Sequence, residues 1–313
     1  MQKVAVTGVN GFVGKHLVAE LVSLGCEVVG IGRENVPSIH LRHSLAAYHA
    51  CDLMDVQAVN GLPLDGLEAV ISLAGLAKVG DSFAQPKVYK EVNVGVLTNL
   101  CQRLLKLDSQ PRVIAVSTGA VYDPHQPMPL TEESRVASQT SPYAKSKLAM
   151  EQAAQELRQA GLDCIIVRPF NHIGPGQELG FLVPDMYQKI KVAIKNGEPL
   201  LAGNLKTRRD YTDVRDIVKA YCGLAIAHPR DLTDYVYNVC SGVSRSGEEI
   251  LNELKKHIPG AEELTATLDP SLTRPNDPEE LIGSNNQLTK AIAWQPRIPF
   301  EQTIADFVAT QKV

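Results

Sequence analysis

The chain has 313 residues, 44% of them hydrophobic and 21% charged, with a formal net charge of −4. This is the composition of a soluble globular protein large enough for one large domain or two. The acidic balance argues against nucleic acid or a membrane surface as a partner, and no apolar run approaches the length of a membrane-spanning helix. The N-terminus enters a strand at once, Lys3-Val4-Ala5-Val6, without the apolar core of a signal peptide. Six cysteines are scattered as Cys26, Cys51, Cys101, Cys164, Cys222 and Cys240, with no CxxC among them. Reduced, mostly buried thiols in a cytoplasmic protein are the expectation. The eight histidines show no ligand spacing, so no metal is assigned.

In chain order, Val4-Ala5-Val6-Thr7 is a short apolar strand, followed by Gly8-Val9-Asn10-Gly11-Phe12-Val13-Gly14 and an amphipathic helix from Phe12 to Leu24, stopped by Gly25. Strand, glycine-rich turn and helix form a dinucleotide cradle. The glycines let the backbone turn tightly, and a pyrophosphate can sit on the exposed N–H groups at the helix start. The spacing is GxxGxxG rather than GxGxxG. A second strand, Glu27–Ile31, ends at Gly32-Arg33. A free ribose 2′-hydroxyl calls for Asp or Glu there, whereas a guanidinium suits a 2′-phosphate. The expectation is NADP rather than NAD.

Residues 46–51 lead as a third strand to Asp52-Leu53, where a carboxylate could meet the adenine. Val70-Ile71-Ser72-Leu73-Ala74-Gly75 is a fourth strand, then come small residues where backbone could lie close to a cofactor. A long helix from Pro86 to Leu107 carries Asn93. A fifth strand, Val113–Val116, ends at Ser117-Thr118-Gly119, and residues 164–168 form a sixth. Near-continuous apolar strands alternating with helices indicate a parallel sheet covered on both faces, with ligands beyond the carboxyl ends of the strands.

Ser141-Pro142 reads as an N-cap and first helical turn, and Gly161 as the stop. On that helix Tyr143 and Lys147 stand four apart and share a face. A phenol loses its proton near pH 10. A neighbouring ammonium would lower that value and make the phenol a usable acid or base near neutrality.

After Arg168 an irregular Pro/Gly-rich loop, 169–177, opens a different region. Helices are expected over 183–195, 214–227 and 300–310, and a strand over 235–239. A further helix is capped by Ser246 with Glu249 completing a capping box. The fold class is α/β, a doubly wound, Rossmann-like parallel sheet. Residues 1–168 would form the dinucleotide-binding domain, with sheet-completing segments around 209–240. Residues 169–313 would form mainly a smaller substrate-binding lobe.

Four features coincide: the 7–14 turn, Ser117-Thr118, Tyr143-xxx-Lys147, and Arg168-Pro169-Phe170-Asn171. Together they resemble the extended short-chain dehydrogenase/reductases that act on nucleotide sugars. Residues 168–177, 180–185, 209–221 and 237–242 are similar to the branch holding GDP-mannose 4,6-dehydratases and GDP-6-deoxy-4-keto-mannose reductases. The resemblance implies that Tyr143 is the acid/base, Lys147 its tuning lysine, and Thr118 the hydroxyl that bonds the reacting sugar oxygen. It implies cofactor contacts at Gly8, Asn10, Gly11, Phe12, Val13, Gly14, Arg33, Asp52, Leu53, Leu73, Ala74, Gly75, Asn93, Val116, Pro169 and His172. Substrate contacts are implied at Asn171, Val183, Arg209 and Arg274, and a homodimer through residues 86–107 and 142–160, with Val92, Val96 and Leu100 as an apolar stripe. The dehydratases follow the threonine closely with an acidic residue, which removes the proton next to the carbonyl. Here Gly119-Ala120 follows Thr118. The resemblance therefore implies an NADPH-dependent reductase of an NDP-4-keto-6-deoxyhexose, in first place the GDP-linked sugar giving GDP-D-rhamnose. A 4-epimerase with tightly held NAD is the alternative, and a dehydratase the third reading.

Overall fold

The computed structural model describes residues 2–138, 140–272 and 277–311. The first half alternates strand and helix: β1 Lys3–Thr7, α1 Phe12–Ser23, β2 Glu27–Gly32, β3 Ala47–Ala50, α2 Val56–Asn60, β4 Ala69–Ser72, α3 Val79–Ala84, α4 Pro86–Leu104, β5 Arg112–Val116, α5 Pro142–Gln159 and β6 Cys164–Pro169. The second half carries β7 Asn171–Ile173, α6 Leu182–Asn196, β8 Leu200–Ala202, β9 Arg208–Asp213, α7 Val214–Ile226, β10 Val236–Val239, β11 Ser244–Ser246, α8 Gly247–His257, β12 Ala266–Leu268, β13 Glu280–Leu281, α9 Asn286–Ile292 and α10 Phe300–Thr310.

Seven strands make one sheet in the order β10-β6-β5-β4-β1-β2-β3, every neighbouring pair parallel. Side chains alternate between its faces, so an apolar run supplies two cores. Val4, Val6, Ile71, Ile114, Ile165 and Val167 pack with α1 and α7 on one side. Ala5, Val70, Val113, Ala115 and Ile166 pack with α4 and α5 on the other. All six cysteines are buried and unbridged.

The chain leaves this sheet after β6. A second sheet of β11, β9 and β13, with β7 beside β9, stands over its C-terminal edge, and a separate pair joins β8 to β12. Helices α6, α8 and α10 close a third core around Val183, Ile190, Ile250 and Phe307. The capping box forms as expected, Glu249 N–H to Ser246 Oγ at 3.1 Å and Ser246 N–H to the Glu249 carboxylate at 2.7 Å.

Three expectations need correction. The long helix stops at Leu104, not Leu107. The backbone tightens into short turns there while Leu107 still packs inward, which carries the apolar pattern past the helix end. Of the segment around 209–240, β10 joins the large sheet and α7 covers it, but β9 belongs to the smaller sheet, where β7, β11 and β13 pair with it. The stripe expected as a second apolar face turns into the chain: Val96 and Leu100 are buried in the α4–α5 core, and Val92 packs against it partly buried.

Candidate active site

The cradle at the end of β1 is built from backbone. Gly8 adopts φ +65, the left-handed region that favours glycine, and a Cβ there would lie 3.0 Å from the Ala74 nitrogen. A Cβ on Gly14 would meet the Val9 carbonyl oxygen at 2.4 Å, so only glycine lets α1 come this close to the turn. Thr7 Oγ accepts from the Ala74 N–H at 3.1 Å and fastens the two loops together. Gly11 caps α1 without any side-chain acceptor, which leaves the first-turn N–H groups at Phe12 and Val13 and the positive end of the helix dipole for an anion. This glycine floor under an uncapped helix start fits the diphosphate of a dinucleotide.

At the end of β2, Arg33 is exposed, and its guanidinium makes no hydrogen bond or ion pair among the described residues. Beside it is a carboxylate that sequence reasoning missed. Glu34 accepts from Asn10 Nδ2 at 2.7 Å, and that bond holds its carboxyl below the ordinary range. Asn10 also accepts from the Ser38 N–H at 2.9 Å, and Tyr48 donates to the Glu34 carbonyl at 2.7 Å. Asn10, expected as a cofactor contact, is thus the brace of this loop. Asp52 is exposed after β3 and caps its own turn at the Met54 N–H, while Leu53 is buried beside it.

Asn93 has both ends of its amide engaged. It accepts from the Leu76 N–H at 2.7 Å and donates to the Leu76 carbonyl at 3.1 Å and to Ser146 Oγ at 2.8 Å. It ties Leu76, next after Gly75, to α5, with both amide N–H groups spent and one lone pair of Oδ1 left open.

Ser141 accepts from the Ala144 N–H at 3.2 Å and starts α5 so that Tyr143 and Lys147 face the sheet edge, 9% and 8% exposed. The Thr118 hydroxyl is a neighbour of the Tyr143 phenol, and the Tyr89 ring meets it edge-on, centroids 6.5 Å apart. Burial pushes the Tyr143 phenol up to about 12, against the smaller pull of the Thr118 hydroxyl. The expected direction was downward. Lys147 spends its Nζ on the Val116 carbonyl at 2.8 Å, and burial, opposed by Glu151, brings the ammonium itself down to about 8.

Pro169 closes β6, and Asn171 is exposed at the start of β7. The His172 ring stacks on Phe12 at 6.3 Å, and its Nδ1 lies 3.2 Å from the Phe170 carbonyl. Burial lowers its basicity. His16 on α1 reaches the Pro175 carbonyl at 2.9 Å. These contacts tie the loop after β6 to the start of α1, so His172 sits beside the cradle.

Two residues expected to contact substrate have side chains engaged within the fold. Val183 is fully buried in the third core, with its side chain turned away from solvent. Arg209 donates to the Arg208 and Pro278 carbonyls and to Asp277 at 2.6 Å, so its fork braces β9 against the chain that leads into β13. Arg274 lies outside the described residues. A polar network behind the site was also missed: Ser117, Glu151, Arg168, Tyr122 and Asn238, all buried. Its signal was present in sequence, since Glu151 stands four residues after Lys147 on the same helical face.

Residues 4–240 match the NAD dependent epimerase/dehydratase family. The chain belongs to that family. As a member it is an NAD(P)-dependent oxidoreductase of the class acting on the CH–OH groups of nucleotide sugars. It is 31% identical to the GDP-6-deoxy-D-mannose reductase of Pseudomonas aeruginosa, over 97% of this chain and 95% of the relative. It is 28% identical to the UDP-glucose 4-epimerase of Halalkalibacterium halodurans, over 97% and 93% respectively. Among solved structures, that of RMD from Pseudomonas aeruginosa complexed with NADPH superposes with a TM-score of 0.82 at 30% identity, covering all of both chains.

Proposed function

We propose that this family member is an NADPH-dependent reductase of the 4-keto group of an NDP-4-keto-6-deoxyhexose, with GDP-4-keto-6-deoxy-D-mannose as substrate and GDP-D-rhamnose as product. The observation that carries the reading is the ground after Thr118. A Cβ on Gly119 would sit 2.8 Å from the Phe170 ring, so no carboxylate can be carried there without displacing that ring. Ala120 is exposed and has no proton-accepting group. The Glu132 carboxylate accepts from the Asn238 N–H at 2.8 Å. Elimination of water needs a base at the carbon next to the carbonyl, whereas ketone reduction needs none.

The roles follow from geometry. The uncapped start of α1 and the glycine floor would hold the diphosphate of the dinucleotide, and Arg33 is free to meet a 2′-phosphate. Bound there, the dihydronicotinamide would supply a hydride. Thr118 holds the sugar carbonyl oxygen by the hydroxyl that neighbours the Tyr143 phenol. Tyr143 delivers its phenolic proton to that oxygen. A phenol held near 12 stays protonated at neutral pH and is a ready donor to an alkoxide. Lys147, one turn along α5 on the same face, would bring a positive charge toward the phenolate left behind and favour it.

A second reading, nucleotide-sugar 4-epimerase with tightly held NAD, is supported by relatives of that activity and by Glu34, a carboxylate that could accept a ribose 2′-hydroxyl. One experiment separates the two. The purified protein is given NADPH with a freshly prepared GDP-4-keto-6-deoxy sugar, and separately UDP-glucose alone, and products are identified by NMR. Stoichiometric NADPH oxidation with a 4-hydroxy product supports the reductase. UDP-galactose from the second incubation supports the epimerase.

A further inference from the structure

Two successive residues at the end of β5 are bonded to different turns of α5, and a third neighbours it. The Val116 carbonyl accepts from Lys147 Nζ at 2.8 Å and Ser117 Oγ donates to Glu151 Oε1 at 2.5 Å, while the Thr118 hydroxyl lies next to the Tyr143 phenol. Glu151 does not bond Lys147, although it stands one turn along on the same face. Its two oxygens are taken by Arg168, Nε to Oε1 at 3.0 Å and Nη2 to Oε2 at 2.6 Å. The remaining guanidinium nitrogen donates to Tyr122, which donates on to Asn238 Oδ1 at 2.7 Å. The Glu151 and Arg168 side chains are 5% and 8% exposed.

A buried ion pair of this kind is weak evidence of stabilisation, because desolvating both charges offsets most of their attraction and apolar residues would serve as well. Its placement is more informative. A carboxylate free to swing would close directly on the ammonium one turn away. Held by a fork and a hydroxyl, it lends its charge to Lys147 at a fixed distance while the ammonium stays on the Val116 carbonyl.

We propose that Glu151, locked by Arg168 and Ser117, is a positioning residue that keeps Lys147 charged and registers the Val116–Thr118 strand end on α5. This rests on the reading of Lys147 and Thr118 given above. Among the described residues, Glu151 of α5 is the group whose charge acts on Lys147, with Arg168 of β6 held to Glu151, while Tyr89 of α4 and Tyr221 of α7 neighbour Tyr143, one turn before Lys147. Asn93 and Met150 are neutral neighbours. Glu151 is the only anion among these, so its loss leaves nothing to offset burial of the ammonium.

The test uses Glu151→Gln, which leaves Arg168 unpaired, and the double variant Glu151→Gln with Arg168→Met, which leaves no buried charge in the pair and protects against a failure to fold. Lys147 is titrated by NMR of carbon-13-labelled lysine in protein without substrate, its signal assigned by its disappearance in Lys147→Met. The pH profile of kcat/KM is measured in parallel. In both variants the Lys147 midpoint should fall by about one unit or more, and the alkaline edge of kcat/KM should fall with it. The loss should appear in kcat more than in KM and recover toward about pH 6. A midpoint unchanged in the folded double variant overturns the proposal and leaves the pair as a structural brace. If the midpoint moves but no keto sugar is reduced, the functional reading fails and the positioning role stands.

Discussion

Replacing Tyr143 with phenylalanine separates chemistry from folding. The ring keeps its burial and its edge-on contact with Tyr89, and only the hydroxyl leaves. The loss of one buried neutral hydroxyl is worth at most about 1 kcal/mol of stability. The neighbouring Thr118 Oγ still accepts from the Ala120 N–H at 3.2 Å. In a chain of this size such a loss lowers Tm by a few degrees at most. Turnover should suffer far more. Removing the proton donor from a ketone reduction costs roughly 10²–10⁴ in rate, or about 3–5 kcal/mol of barrier at about 1.4 kcal/mol per tenfold. The assay is single-turnover loss of NADPH absorbance with the keto sugar, beside a thermal melt followed by circular dichroism. Near-normal turnover in the folded variant would remove Tyr143 from the acid role.

Further outcomes follow from the same geometry. Arg33→Ala should lower kcat/KM for NADPH about tenfold, the order of one charge-assisted contact, and leave NADH unchanged; equal effects on both cofactors would take Arg33 out of 2′-phosphate binding. Lys147 reaches the native state with its value depressed from 10.5 to about 8. Unfolded chains therefore hold more protons across that window, and this group's penalty on stability is full below about pH 8 and relieved as pH rises toward 10.5. Lys147→Met should accordingly stabilise the fold at neutral pH by about 1–2 kcal/mol, the gain of about 3 kcal/mol from removing a buried charge less the Val116 carbonyl left unpaired, while turnover collapses; a lowered Tm would contradict it. The protein given GDP-mannose and NADP in deuterated water should form no 4-keto-6-deoxy sugar and place no deuterium at C5, read by NMR, because nothing beside Thr118 can take that proton.

Much of this was legible in the sequence because the cues are local and periodic. Apolar runs marked the strands of the parallel sheet, Ser141-Pro142 set the start of α5, and four-residue spacing put Tyr143 and Lys147 on one face. What was illegible depends on who neighbours whom. Asn93, Val183 and Arg209 were expected as ligand contacts by family resemblance, which does not show what each side chain meets. Asn93 bonds Leu76 and Ser146, Arg209 braces backbone and Asp277, and Val183 turns inward on its amphipathic helix. The direction of the Tyr143 shift was misjudged because sequence spacing gives the neighbour but not the depth of burial. Glu34 was passed over for Arg33, since nothing in sequence shows that Asn10, twenty-four residues away, holds the carboxylate in place.

The most direct test of the central claim is hydride tracing. The purified protein is incubated with NADPH carrying deuterium at the transferable position of the nicotinamide and with GDP-4-keto-6-deoxy-D-mannose. Reduction predicts a GDP-6-deoxyhexose with one deuterium at C4 for each NADPH oxidised. Unchanged NADPH, with tightly bound NAD and interconversion of UDP-glucose and UDP-galactose instead, would contradict it.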